Sequence, residues 1–410
     1  IVEEWRLVCD LRYVPNLLII LYAVGRVSGS ILGGHIGDHF GRKRGFFSAQ
    51  FFIIITSVMS ITSTSWKMFS VFLALNGFFF GIIEVTSLTL MMEYTDSQYR
   101  LIPNAMFQWC LGYMVLGLVG FLTKGWRMYL VFVNLISAPL LVGYLLFQES
   151  PRWLIVKNQL HKAAHVLTEI ASERWNNKNV EIVPEDLERI PRARKYARQS
   201  LLQLIAMLNY SMINSTYLYN VDGVPGGPFL HFFYLGVFRV WVPFVIIALD
   251  FKYPKFGRKV LYLGSLGCTG TCFAVNVGLL AAGFDRKHPG IIACTIIGTT
   301  INASAFYMAI IQVTTARYPT VIRAIAFGTL NITDSIGGVI SQVVIKRLLQ
   351  HQWAPWEYLI PEILIVVNFI LAVFFQPESK GKAIPDLYKE KAEARSRFSV
   401  LNTSEREKRY

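Results

Sequence analysis

From Pro15 onward the chain runs in blocks of about 18–25 apolar residues separated by short polar turns, each block long enough to cross a bilayer as a helix. The blocks are continuously apolar rather than alternating, which excludes the strands of a β-barrel. In hydrocarbon the backbone must satisfy its own N–H and C=O groups, and a helix does so within one segment. Composition agrees: 53% of the 410 residues are hydrophobic and 16% charged, against about 25% charged in a typical soluble domain. The predicted class is an all-α polytopic membrane protein. Eleven spans are predicted, at 15–36, 46–65, 68–92, 103–123, 127–147, 201–220, 229–249, 259–282, 290–316, 322–345 and 356–376.

The net charge of +14 raises the possibility of a nucleic-acid partner, but the basic residues sit in short loops rather than on one soluble face. Of the 40 Lys and Arg residues, 29 fall on the side of the 148–200 loop and the 377–410 tail, 9 on the other, and Arg26 and Arg239 lie within spans. The positive-inside rule then places loop and tail in the cytoplasm and Ile1 outside. An even-spanning parent with both termini inside would have one further N-terminal span. Cys110, Cys268, Cys272 and Cys294 fall within apolar blocks as packing residues, whereas Cys9 lies outside them with no partner in this chain. There is no catalytic constellation, phosphate loop or metal-ligand spacing. The expectation is no enzyme, no ATP-driven pump, and no cofactor or metal.

Two turns resemble each other. "HIGDHFGRKRG" (35–45) follows the first span and "LDFKYPKFGRKV" (249–260) the seventh, each with an aspartate followed by F-G-R-K. Gly41 permits a tight turn, and Asp38 at a helix end can pair with a basic residue of a neighbouring span. Repeated halves mark many transporters.

"GGHIGDHFGRKR" resembles the signature loop of the major facilitator superfamily. "EEWRLVCD" before the first span, "ESPRWL" after the fifth, "YPTVIR" at the tenth and "PESKGKAIPDL" after the last make the chain similar to the organic cation/anion transporter family, over Ile1 to about Tyr388. The resemblance implies two six-helix halves with the first helix absent: an N-terminal half at 1–147, a linker at 148–200, a C-terminal half at 201–376 and a tail at 377–410. It implies a multi-pass protein of the plasma membrane. It also implies a cytoplasmic gate of salt bridges, with Asp38, Arg42, Glu93, Arg100, Glu149 and Arg152 in the first half and Asp250, Arg258 and Arg323 in the second. The sequence departs from the family at His39, in the extra residues between Asp250 and Gly257, and at Ala316-Arg317, where an acid is usual before "YPT".

Four ionisable residues sit deep in spans: Arg26, Glu84, Arg239 and Asp334. Each lies roughly 13–18 Å from the cytoplasmic edge of a core about 30 Å thick, where it costs at least about 2.5 kcal/mol unless paired or hydrated. They either neutralise one another as structural pairs or line a substrate cavity between the halves. By resemblance, Glu84 stands at a cavity position commonly aromatic in cation transporters, Arg239 replaces an acid, and Ser335 takes the position whose charge follows substrate sign. Gln108, Tyr210 and Tyr217 are further candidates for substrate contact. The expected function is secondary transport of a small organic ion by alternating access, with the sign of the ion open. The alternatives are a non-transporting sensor or scaffold, or a sugar-porter-like facilitator.

Overall fold

Pro15 opens the first long helix, α1 (Val14–Phe40), which stops at Gly41, where φ is +107°. Only glycine holds that conformation without strain, and here a Cβ would also fall 2.3 Å from a carboxylate oxygen of Glu149. The computed structural model describes residues 3–95, 101–106, 109–123, 125–175, 188–189, 197–219, 227–253, 256–285, 288–318, 322–342, 356–376, 378, 380 and 388–389. Beyond the turn runs α2 (Arg42–Ile61), then α3 (Trp66–Tyr94), whose Ser65 cap accepts a hydrogen bond from the Met68 amide. There follow α4 (Leu101–Met106), α5 (Trp109–Thr123), α6 (Trp126–Ser137) and α7 (Gly143–Leu146), with a 3₁₀ segment at Ala138–Val142 joining the last two. The linker contributes α8 (Pro151–Val156) and α9 (Leu160–Trp175).

The second half comprises α10 (Ala197–Tyr219), α11 (Gly227–Lys252), α12 (Arg258–Ala281) and α13 (Pro289–Ile301). A π-helical turn (Asn302–Phe306) leads into α14 (Tyr307–Arg317), followed by α15 (Arg323–Val339) and α16 (Trp356–Phe375). Among the described residues, the departure from an all-helical pattern is one two-residue antiparallel pairing of Glu188–Arg189 with Tyr388–Lys389, which joins linker to tail.

Eight of these helical stretches are long and apolar enough to cross a membrane among the described residues, against the eleven spans expected. The described residues at the other three positions are helical as well. The 103–123 span is divided, because residues 107–108 lie outside the described residues, and its Trp109–Thr123 part is apolar but short. Helices α10 and α15 carry Asn209, Ser211, Asn214 and Ser215, and Arg323, Asn331, Asp334 and Ser335, respectively. Those polar groups face protein rather than lipid, which is why apolarity alone misses them. The stretch Trp126–Leu146, by contrast, has nothing buried and shows Leu135, Leu145 and Leu146 to the surroundings, as a lipid-facing helix should.

Helix spacing is set by small residues, as expected where lipid gives helices no hydrophobic reason to associate. A Cβ on Gly29 would lie 1.9 Å from the carbonyl oxygen of Phe78, and one on Gly81 would lie 2.4 Å from that of Arg26. Helices α1 and α3 therefore touch backbone to backbone. The two halves meet the same way: Gly328 of α15 abuts the Ser30 carbonyl of α1, and Gly117 of α5 abuts Phe229 and Phe233 of α11. Within the second half, Tyr262, Phe273, Phe306 and Phe327 are fully buried in an aromatic core.

On the face opposite the linker, Trp5, Phe69 and Trp126 pack ring against ring at 5.3–5.6 Å. Glu4 accepts 2.6 Å hydrogen bonds from Arg127 and from the Trp126 indole. Arg127 also donates to the carbonyls of Ile61 and Ser63, tying this cap to the turn after α2.

Gly29→Val is expected to cost about 1–3 kcal/mol or more in thermal unfolding of the detergent-solubilised protein. Gly264→Ala, with open space around it, should be neutral or stabilise by up to about 1 kcal/mol. The bond from Arg127, then that from Trp126, holds the Glu4 carboxyl below its usual range. The cap is therefore intact above the free-carboxylate pKa and is lost as pH falls through the lower folded value. Acid titration followed by tryptophan fluorescence should show a step in the wild type that Glu4→Gln lacks.

Candidate substrate cavity and charged turns

A cavity of about 270 Å³ lies between the halves. From α1 it takes Tyr22 and Arg26, from α3 Phe80 and Glu84, and from α5 Trp109 and Tyr113. Across from these stand Tyr210 and Asn214 of α10, Tyr307 at the start of α14, and Asp334 and Ser335 of α15. Six aromatic rings and three charges share one small space.

The three charges touch. The Arg26 guanidinium hydrogen-bonds Glu84 through Nε at 3.0 Å and through Nη2 at 2.7 and 2.9 Å. The same Nη2 lies 2.6 Å from Asp334 Oδ2. One cation is thus shared by a carboxylate of its own half and one from the other half, leaving the group with a net charge of −1. The Arg26 guanidinium also sits 5.7 Å over the Phe80 ring. The two readings of the midplane charges therefore combine, since these residues are paired and also line the cavity.

Arg239 does not join them. It is 3% exposed and absent from the cavity wall, its Nη2 donating to Asn214 Oδ1 at 2.9 Å and its guanidinium lying 5.4 Å over Tyr113. Both of those partners do line the cavity, so Arg239 stands one layer behind it, against the direct contact expected. Among the described residues no carboxylate lies within ion-pair distance of it, and its Nε has no hydrogen-bond partner. Gln108 and the side chain of Tyr217 lie outside the described residues.

Sequence reasoning missed Tyr22, Phe80, Tyr113, Tyr307 and Asn214. A signal existed for most of them. Tyr22 precedes Arg26 by one helical turn, Phe80 precedes Glu84 by one, and Asn214 follows Tyr210 by one. In a helix, residues four apart share a face, so Arg26, Glu84 and Tyr210 each pointed to a cavity-lining neighbour.

At the linker face, carboxylates cap helix starts in both halves. Glu149 accepts hydrogen bonds from the Arg42 and Lys43 amides at 2.9 and 3.1 Å, at the start of α2. Glu378 accepts from the Arg258 and Lys259 amides at 2.7 and 3.1 Å, at the start of α12. A helix N-terminus favours an anion there. The room each carboxylate needs comes from a missing side chain: a Cβ on Gly257 would fall 1.9 Å from Glu378, as one on Gly41 would meet Glu149. The matched arrangement explains why E-S follows the last helix of each half.

In the first half, Arg42 pairs with Asp38 at 2.9 Å and with Glu93 at 3.2 Å. In the second, Arg258 pairs with Asp250 at 2.8 Å, and Lys380 joins at 2.9 Å. Arg323, expected with the second-half group, instead reaches Glu93 of the first half at 3.1 Å, with both side chains fully buried. Among the described residues, Glu93–Arg323 is thus a buried ion pair that links the halves at this face. Arg317 occupies, before Tyr318, the place that Glu93 holds before Tyr94, and both of its terminal nitrogens are buried without a hydrogen-bond partner among the described residues. Arg152 is half-buried on α8, and Arg100 lies outside the described residues.

A family model described as "Sugar (and other) transporter" matches residues 13–388. Solute carrier family 22 member 4 of Mus musculus is 26% identical over 408 residues, spanning 94% of this chain and 71% of that protein. The organic cation transporter protein of Drosophila melanogaster is 24% identical over 410 residues, spanning 94% and 72%. Among solved structures, the major facilitator proton:xylose symporter XylE superposes with a TM-score of 0.74 at 18% identity, covering 94% of this chain and 90% of that one. The human organic anion transporter MFSD10 (TETRAN) superposes with a TM-score of 0.66 at 15% identity, covering 90% and 87%.

Glu93→Gln is expected to lower stability by about 3–5 kcal/mol, because it leaves buried arginines without their charge partner. Glu149→Ala and Glu378→Ala should each cost about 0.5–2 kcal/mol, as lost helix caps do. Thermal unfolding of the three variants in one detergent orders them.

Proposed function

We propose, for a chain that belongs to the sugar (and other) transporter family and has the major facilitator fold, that its cargo is a small organic cation. The observation that carries this is the cavity wall. Its charged residues are two carboxylates and one guanidinium, and aromatic faces surround them. A quaternary or protonated amine gains from each: the carboxylates attract it and the ring quadrupoles stabilise it where water is scarce. Arg239, the residue that would favour an anion, stands behind Tyr113 and Asn214. An alkyl ammonium fits the available volume, and the relative from Drosophila melanogaster is named an organic cation transporter.

Transport runs by alternating access between the halves. With the linker face cytoplasmic, the Glu93–Arg323 bridge and the two capped turns form the inner gate, closed in this structure. Opening it separates α15 from α1 and exposes the cavity to the other side. The plasma membrane is the proposed location. A second reading, a zwitterion, is favoured by the charge of Arg239 behind Asn214, which could draw a substrate carboxylate to that wall.

Reconstituted into proteoliposomes, the chain is expected to take up labelled tetraethylammonium saturably, and glycine betaine if the second reading holds. Benzoate and glucose should stay outside. Preferential uptake of benzoate or glucose overturns the cation reading. Trp109→Ala should raise KM for tetraethylammonium by up to about 30-fold, the equivalent of a desolvated cation–π contact of about 2 kcal/mol.

A further inference from the structure

Three charges meet at the cavity, but Arg26 treats its two acids differently. Its N–H groups make three hydrogen-bond contacts to Glu84, whereas Asp334 touches Nη2 as an ion pair alone. The first partnership is also fixed by backbone. Arg26 and Glu84 stand on α1 and α3, which the glycines at 25, 29, 77 and 81 hold in direct contact. Asp334 belongs to α15, on the other half, and that helix has to move relative to α1 whenever the halves rock. Asp334 has no other cation within ion-pair distance among the described residues, since Arg239 is engaged with Asn214 and Tyr113.

From this geometry we infer that Arg26 is a tethered stand-in for the substrate's cation. In the empty carrier it is shared with Asp334 and so clasps α15 to α1. An organic cation entering the cavity takes its place at Asp334, and Arg26 stays with Glu84, which needs nothing further. The group goes from a net charge of −1 when empty to neutral when loaded, and α15 is released with its carboxylate still paired. Without a replacement cation, the same movement strands a carboxylate in a low-dielectric site, which is strongly unfavourable. The empty carrier therefore returns slowly, and the chain works as an exchanger of one organic cation for another. The inference rests on the cation reading above and adds to it a role for Arg26 that a simple substrate contact would not have.

Two measurements on the full chain test this. In proteoliposomes loaded with labelled tetraethylammonium and buffered identically on both sides, external unlabelled tetraethylammonium should speed efflux by roughly tenfold or more. Asp334→Asn, which strands no charge, should bring that ratio close to one even as its KM rises. In detergent, equilibrium binding of tetraethylammonium should be about tenfold tighter in Arg26→Gln than in wild type, since the built-in competitor is gone. Arg26→Lys, which keeps the charge without the fork, should fall between them and guards against misfolding of the neutral variant. Unchanged affinity in both Arg26 variants, or an exchange ratio unaffected by Asp334→Asn, overturns the inference while leaving a cation transporter. Absence of tetraethylammonium binding in the wild type overturns the cation reading and this inference together.

Discussion

A charge inside a bilayer is costly unless paired or hydrated, and in this chain the partner is repeatedly found on another helix. Arg26 reaches Glu84 and Asp334, and Glu93 reaches Arg42 and Arg323. Two of these contacts, Arg26–Asp334 and Glu93–Arg323, join helices before the linker to helices after it. The carboxylates and guanidiniums thus fasten two bodies that also meet through packed small residues, through the Tyr113–Phe232 and Tyr129–Phe229 ring pairs and through buried apolar side chains of both. The charge pairs add a polar link to that packing. Because such pairs are costly to break without replacement, the same contacts that assemble the cavity also govern when it can change shape.

The duplication is legible at atomic scale and so is its breakdown. Each half ends with a glutamate-serine pair whose carboxylate returns to cap the helix after the F-G-R-K turn, over a glycine that leaves it space. Each turn carries an Asp–Arg pair. The symmetry then fails at one position, with Glu93 in the first half and Arg317 in the second. Glu93 collects two arginines, one from each half. The second half has no equivalent collector there, and Lys380 from the tail supplies a contact to Asp250 instead. The charged turns are consequently unequal.

Much of this was readable in the residues. Uninterrupted apolar blocks gave the helices, and the lone charges within them gave the midplane group, because a charge in hydrocarbon has few reasons to be there. The repeated order of the turns pointed to their Asp–Arg pairs, and the family resemblance supplied the other charged residues expected at that face. Partner choice was harder. That Arg323 faces Glu93 rather than Asp250 depends on how α15 crosses α3, which no local pattern encodes. Arg239 looked equivalent to Arg26 by depth, but its rotation about α11 puts it behind Tyr113. The aromatic wall was invisible for a different reason: in an apolar chain rich in Phe and Tyr, a cavity ring and a packing ring have the same local sequence. Spacing of one helical turn from a charged residue distinguishes Tyr22 and Phe80 alone among the six rings.

The two carboxylate caps have a mechanical consequence. Glu149 and Glu378 lie just beyond the last helix of their halves yet are fastened to the helix that follows each half's charged turn. Each half is in effect a hoop, its trailing strap buckled to an early helix. A hooped bundle resists shear between its own helices and transmits force as one piece. Tension on the linker or tail is therefore delivered to the helix starts beside the charged turns.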